Sequence, residues 1–373
     1  MIYFDNAATS RFKPKSALDA LKYDIMHSAN SGRSGHDEAI EKSVKIENCR
    51  KFLLETLGGE NTHDLIFTKN CTEALNLAIF GMIKGGERVV TSENEHNSVL
   101  RPLYYLASEG KIKLKIINAC EDGKLDLNTL REYTKQADVL VLGGACNVTG
   151  ATLDLYEVGK IAKQYGAKLI VDGAQSIPYC DVNLDEFNVS ALACPGHKGL
   201  HGIQGTGFLA TRKDLTLKPL LFGGTGTRSQ ELLPRLESPD SYEAGTQFSG
   251  GIAALEEGAK WTFENLNYIK KHINRLSKNL ILFLKSIDAT IYTNETKCGV
   301  VAFNLKDADS TYIAEVLNEN GIAVRAGLHC APLVHKRLGT LTQGAVRVSV
   351  GCDNTDKDIL AFAKVIEQIA RKL

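Results

Sequence analysis

A succession of short apolar runs, separated by segments of helical period, constrains this chain more than any other feature. The runs are 64-DLIFT-68, 88-RVVT-91, 112-IKLKII-117, 138-DVLVLG-143, 168-KLIVD-172, 190-SALAC-194 and 207-GFLAT-211. Several have little polar alternation, as expected of strands covered on both faces of a parallel sheet. Helical patterns lie between many of them: 73-EALNLAIFGMI-83, preceded by Asn70; 98-SVLRPLYYLAS-108, with Pro102 in its first turn; and 155-LYEVGKIAKQYG-166. Asn70 followed by Glu73 resembles a capping box. Strand, helix, strand in series predicts right-handed βαβ units and an α/β fold with a mostly parallel sheet.

After about residue 250 the pattern changes. A long helical stretch over 251–286 precedes strands at 299–305, 322–327 and 345–350, a helix near 310–320 and a terminal helix from about 355. The expectation is a large α/β domain over 15–255 and a smaller α+β domain over 256–373, with segment 1–14 packing near the second. A chain of 373 residues, 43% hydrophobic, is long enough for two such cores.

Lys+Arg and Asp+Glu both number 44, so no global field favours nucleic acid or an anionic membrane. The opening MIYFDNAATSRFKP lacks the basic and apolar regions of a secretory signal. The longest apolar window, 279-NLILFLKSI-287, is too short to span a bilayer. Nine cysteines are an odd number, and none stands in a C-x-x-C pair. That argues against a disulfide framework and a structural zinc site, and no metal is expected. A cytoplasmic protein with reduced thiols is the simplest reading.

In open α/β sheets, ligands bind beyond the carboxyl ends of the strands. Five predicted strand ends lead into Thr72, His96, Asn147, Asp172 with Gln175, and Lys198. Each residue alone is ordinary: a lone lysine after a turn is usually surface decoration, and D-G-A-Q is usually a strand end. Their order at successive strand ends is the stronger signal. Lys198 stands in 196-GHK-198, amid five glycines between apolar runs. A pyridoxal phosphate site needs a lysine for a Schiff base, a carboxylate to hold the pyridine nitrogen protonated, and donors at a helix start for the phosphate. Lys198, Asp172 and the Thr72 turn supply these types. Gln175 is placed to meet the ring hydroxyl and His96 to lie over the ring.

These residues also carry a resemblance. 3-YFDNAAT-9, 71-CTEALNL-77, 95-EHNS-98, 147-NVTG-150, 172-DGAQ-175, GHK, 244-AGT-246 and 325-RAGLHC-330 are similar, in order, to the class V aminotransferase group of pyridoxal phosphate enzymes. Within it they look like the cysteine desulfurases and selenocysteine lyases. The resemblance implies the type I fold of pyridoxal-phosphate-dependent transferases and a homodimer with sites at the subunit boundary. It implies that Lys198 anchors the cofactor and Asp172 pairs with the ring nitrogen. It further implies that Thr72 and His197 hold the phosphate, with Cys71 beside them, and that Thr246 reaches the phosphate of the other subunit. Asn147 and Arg347, assisted by Arg325, would grip the substrate carboxylate, a task suited to the planar arginine fork. Cys330 matches the sulfur-accepting cysteine, with a protein or thiol as onward acceptor, as in iron–sulfur cluster assembly. Arg325, Arg347 and His329 are candidate cationic neighbours for its thiolate, with packing as the other reading of His329. The sequence departs from the pattern at Pro195, where a phosphate-binding serine is usual, and at Leu328, where one subgroup has histidine. The expected reaction is L-cysteine to L-alanine; the alternatives are selenocysteine lyase, or an aminotransferase or lyase acting on another amino acid.

Overall fold

The computed structural model describes residues 1–373 apart from 32–33, 226–229 and 233–234. Seven strands form one sheet in the order His63–Thr68, Gly207–Arg212, Ala191–Pro195, Lys168–Asp172, Val139–Gly143, Arg88–Ser92, Lys113–Ile117. Every pairing from Ala191–Pro195 to Lys113–Ile117 is parallel. Gly207–Arg212 runs antiparallel to both of its neighbours. The reason is local. The connection from Pro195 to Gly207 is a turn, closed by Gly196 N–H donating to the Thr206 carbonyl at 2.9 Å. It contains no crossover helix, which a parallel return would need. Two antiparallel steps restore the direction, so His63–Thr68 points the same way as the five parallel strands.

Apolar side chains cover both faces of this sheet. One cluster packs helix Asp37–Thr56, through Leu53 and Leu54, and helix Leu155–Tyr165, through Val158 and Ile161, against Leu140, Leu169 and Leu192. The other packs Leu75 and Ile79 of helix Cys71–Met82 and Val99 and Leu103 of helix Asn97–Ser108 against Val141, Ile170 and Ala193. This two-sided burial explains the missing alternation in the sequence.

The long helical stretch after residue 250 is two helices, Ser249–Glu264 and Leu266–Ser286, separated by Asn265. The Asn265 side chain donates to the Trp261 carbonyl at 2.8 Å, which also accepts the Asn265 N–H at 3.1 Å. Ile252, Leu255 and Ala259 pack with the large sheet, whereas Ile269, Ile273 and Leu276 pack with a second core. That core lies on a four-stranded sheet in the order Arg325–Gly327, Ala345–Ser349, Val300–Asn304, Thr290–Ile291. The run at 322–327 divides: Arg325–Gly327 joins this sheet, while Ile322–Ala323 pairs with Ile2–Tyr3. Phe4 is fully buried in the second core, so the N-terminal segment is fastened there before it crosses to the large sheet. No helix among the described residues is long and apolar enough to cross a membrane.

Candidate active site

The loops after five of the six co-directed strands line one cavity. Cys71 and Thr72 follow the first strand, and Asn94, Glu95, His96 and Ser98 follow Arg88–Ser92. Asn147 comes from the loop after Val139–Gly143. Asp172 and Gln175 follow Lys168–Asp172, and Pro195, His197 and Lys198 follow Ala191–Pro195. Eight of the twelve residues singled out from sequence therefore meet there: Cys71, Thr72, His96, Asn147, Asp172, Gln175, His197 and Lys198.

The lysine turn is held from several sides. His201 N–H donates to the Lys198 carbonyl at 3.0 Å, and Gly202 N–H to the Gly196 carbonyl at 2.9 Å. A side chain on Gly199 would come within 2.6 Å of the Ile177 carbonyl, so only glycine lets the turn lie this close. The N-terminal segment fastens the turn from outside: Ser10 N–H, Ser10 Oγ and Lys13 Nζ all donate to the His197 carbonyl, at 3.0, 3.0 and 3.2 Å. Burial lowers the pKa of the Lys198 ammonium below its usual value, and Asp172 opposes that shift. The amine is thus easier to deprotonate than a surface lysine while still close enough to feel the aspartate.

Asp172 is buried at the end of its strand. Its Oδ1 accepts from Ala174 N–H at 2.9 Å and from the Cys71 thiol at 3.5 Å. Both donors meet the same oxygen, which leaves Oδ2 for a ring nitrogen. Gln175 Nε2 donates to the Ala7 carbonyl at 2.9 Å, so the side chain is positioned by the N-terminal segment. Helix Cys71–Met82 begins with Asn70 capping Glu73 N–H at 2.9 Å and aims its first turn into the cavity. Its N-terminus offers backbone donors and a favourable dipole for an anion. His197 is held neutral, pushed down to about 4 chiefly by burial, and its Nδ1 has no partner among the described residues.

His96 is the N-cap of helix Asn97–Ser108, and its Nδ1 accepts from Ser98 N–H at 3.0 Å. Burial lowers its pKa, Lys198, Arg325 and Arg347 lower it further, and Asp172 opposes them. Glu95, only 2% exposed, was given no role of its own in the sequence. Burial raises its carboxyl to about 8, and its Oε2 is unpartnered among the described residues. Ser98 was also missed, although it follows His96 by two positions and sits in the quoted EHNS motif.

The substrate-side residues form an adjoining layer. Arg347, 1% exposed, donates through Nη1 to the Asn147 carbonyl at 3.1 Å and through Nη2 to Asp5 Oδ1 at 2.8 Å. Its Nε is unpartnered among the described residues, as is Asn147 Oδ1. Asn147 Nδ2 donates to the His329 carbonyl at 2.7 Å. Cys330 is exposed, and its carbonyl accepts from Asn97 N–H at 2.7 Å, which sets the loop beside His96. Both His329 and Cys330 have positive φ, 49° and 57°, a costly backbone for residues with a Cβ. Arg325 Nη2 lies 3.8 Å from Cys330 Sγ. Of the two readings of His329, the structure favours packing. The residue is buried, its Nε2 bonds the Ala345 carbonyl at 3.0 Å, and burial together with Arg347 holds it far below the usual histidine range. It is neutral, so the cation beside the thiol is Arg325. Thr246 stands apart, exposed in a surface groove with Leu221 and Phe248.

This donor set fits pyridoxal phosphate. The cavity has an amine of lowered pKa, a carboxylate with one oxygen open, and a helix N-terminus for an anion. His197 Nδ1, Glu95 Oε2 and Asn147 Oδ1 are buried polar atoms awaiting partners around it.

Comparison with known proteins gives the same picture. A family described as Aminotransferase class-V matches residues 2–362. A probable cysteine desulfurase of Pyrococcus abyssi is 33% identical over 385 aligned residues, covering 100% of this chain and 95% of the relative. The apo structure of a cysteine desulfurase from Thermococcus onnurineus NA1 superposes with a TM-score of 0.93 at 32% identity, covering 100% of this chain and 95% of that one. The cysteine desulfurase CsdA from Escherichia coli, in an S-sulfonic acid form, gives 0.88 at 25% identity with the same coverage.

Proposed function

The chain belongs to the class-V aminotransferase family of pyridoxal-phosphate enzymes, and from that premise we propose that it is a cysteine desulfurase using Cys330 as its sulfur acceptor. The observation that carries this reading is the placement of an exposed cysteine, anchored through Asn97, at the edge of a cavity holding Lys198 and Asp172.

Lys198 would tether pyridoxal phosphate, Asp172 would stabilise a positive ring nitrogen, and His96 would cover the ring. Thr72, His197 and the N-terminus of helix Cys71–Met82 would hold the phosphate. When bound, the cofactor withdraws electrons from the substrate Cα, which makes the Cα proton removable. Arg347 and Asn147 orient the substrate carboxylate, with Arg325 alongside. Lys198 Nζ would serve as the base for the substrate Cα proton; burial suits it to that work by favouring the neutral amine. Cys330, as thiolate beside Arg325, attacks the substrate sulfur: the Sγ–S bond forms, the substrate Cβ–S bond breaks, and its electron pair stays with the carbon fragment, which takes up a proton. The products balance as L-alanine and a Cys330 persulfide.

Exposure of Cys330 lets a second thiol, free or on an acceptor protein, collect the sulfur. The same proposal includes a homodimer. Leu221, Phe222 and Phe248 are 50%, 67% and 48% exposed around the Thr246 groove, an apolar surface suited to a second copy whose cavity Thr246 would complete. It also includes a two-domain division at the change of core beyond residue 255, and a reducing, cytoplasmic setting in keeping with nine unpaired cysteines.

Cys330→Ala tests the assignment. Loss of alanine and sulfide formation from L-cysteine, with cofactor retained, is the expected result. Desulfuration at the normal rate would remove Cys330 from the reaction. Activity lost on cysteine but kept on selenocysteine would identify a selenocysteine lyase.

A further inference from the structure

Ser98 joins two ends of the cavity. Its Oγ lies 2.8 Å from Thr72 Oγ1 and 2.9 Å from His96 Nδ1. Its backbone N–H donates to the same Nδ1 at 3.0 Å. A neutral imidazole nitrogen of this kind has one lone pair, so the capping bond puts the ring proton on Nε2. The Ser98 hydroxyl has a single hydrogen and two acceptors within reach, Thr72 and His96. Which one receives it depends on what the Thr72 hydroxyl does with its own.

We propose that Ser98 is a positioning residue that reports anion occupancy at Thr72 to His96 by reversing the Thr72–Ser98 hydrogen bond. The inference rests on the reading of Thr72 as a phosphate ligand. Without an anion, Thr72 donates to Ser98, and Ser98 sends its hydrogen toward Nδ1, whose one lone pair it shares with the Ser98 N–H. That arrangement opposes a second proton on the ring. With an anion, Thr72 donates to it, Ser98 donates to Thr72, and a lone pair of Ser98 Oγ faces Nδ1. A proton on Nδ1 gives up the bond from Ser98 N–H in either state, but with the anion bound it gains Ser98 Oγ as acceptor, so His96 becomes easier to protonate. The cavity would thereby match its ring-covering histidine to its phosphate end through two hydroxyls, one of them outside the motif residues given roles above.

His96 is also faced by Asp172, which favours its cation, and by Lys198, Arg325 and Arg347, which disfavour it. Glu95 adjoins it in sequence and is buried in the same cavity. An anion at Thr72 would raise the His96 pKa through its field alone, so the decisive comparison is between wild type and Ser98→Ala. That variant keeps the capping N–H and removes only the hydroxyl.

The experiment is an NMR titration of histidine-labelled, full-length apoprotein with and without saturating inorganic phosphate, the His96 signal being assigned with His96→Gln. In wild type, phosphate is expected to raise the His96 pKa by about half a unit or more, and Ser98→Ala should lose at least half of the rise. An equal rise in Ser98→Ala, or no rise in wild type with phosphate bound, overturns the relay. Phosphate affinity measured by phosphorus NMR in Thr72→Val separates the two readings. A weakened affinity keeps the phosphate assignment whatever Ser98 does; an unchanged affinity removes that assignment, and the relay with it.

Discussion

His201 and His335 are the buried residues with the plainest consequence for the stability of the protein. His201 Nδ1 meets Thr262 Oγ1 at 2.8 Å, and Thr262 in turn donates to the Gly258 carbonyl at 2.7 Å, so the histidine is the donor to the threonine. His335 Nδ1 meets Thr340 Oγ1 at 2.7 Å. They are 2% and 0% exposed, and burial pushes both down to about 4 from an ordinary 6.5. A depressed histidine pKa means that the unfolded chain binds protons first as pH falls. Stability from these groups is complete above about 6.5 and is lost progressively down to about 4, each adding up to about 1.4 kcal/mol per pH unit to the slope. Denaturant unfolding at stepped pH should show stability falling across that window, with a shallower fall in His335→Gln. An identical slope in that variant contradicts the assignment.

At the scale of elements, the cavity depends on where helices begin. Helix Cys71–Met82 carries the Asn70 cap at the same place where Thr72 enters the cavity. Glu73 answers with its own bond: its Oε2 accepts from Lys69 N–H at 2.6 Å, not from the cap residue as a capping box would have it. Gly207 lets the neighbouring strand approach, because a side chain there would come within 2.8 Å of the Asn70 backbone. Asn70→Ala should therefore lower unfolding free energy by about 1 kcal/mol and weaken cofactor binding several-fold, read by denaturant unfolding and cofactor titration. A destabilised protein that binds the cofactor with unchanged affinity would separate the cap from the site. The element boundaries missed in sequence have equally local causes. Asn265 ends one helix through its side chain, and the turn between Pro195 and Gly207 reverses a strand for want of a crossover helix.

Across the whole molecule, the sheet and the strand-end residues were legible because two-sided burial leaves unbroken apolar runs and places loop chemistry directly after them. Residues supplied by distant contacts were not. Asp5 reaches Arg347 and Ala7 reaches Gln175 across more than 150 positions, and no local pattern announces such bonds. Glu95 was given no role because its burial, and the nearby Asp172 charge that raises its pKa further, come from the folded chain and not from its sequence neighbours. The neutrality of His329 was hidden for the same reason. All of these contacts serve one claim, that separate loops assemble a sulfur-transfer centre between Lys198 and Cys330. The direct measurement is peptide mass mapping of the cofactor-loaded protein after one turnover with L-cysteine, with borohydride reduction of a parallel unreacted sample. The account predicts the reduced cofactor on Lys198 and the added sulfur on Cys330, in amounts that match the alanine released. Cofactor bound at another lysine, or alanine formed while Cys330 stays unmodified and a different cysteine carries the sulfur, would contradict it.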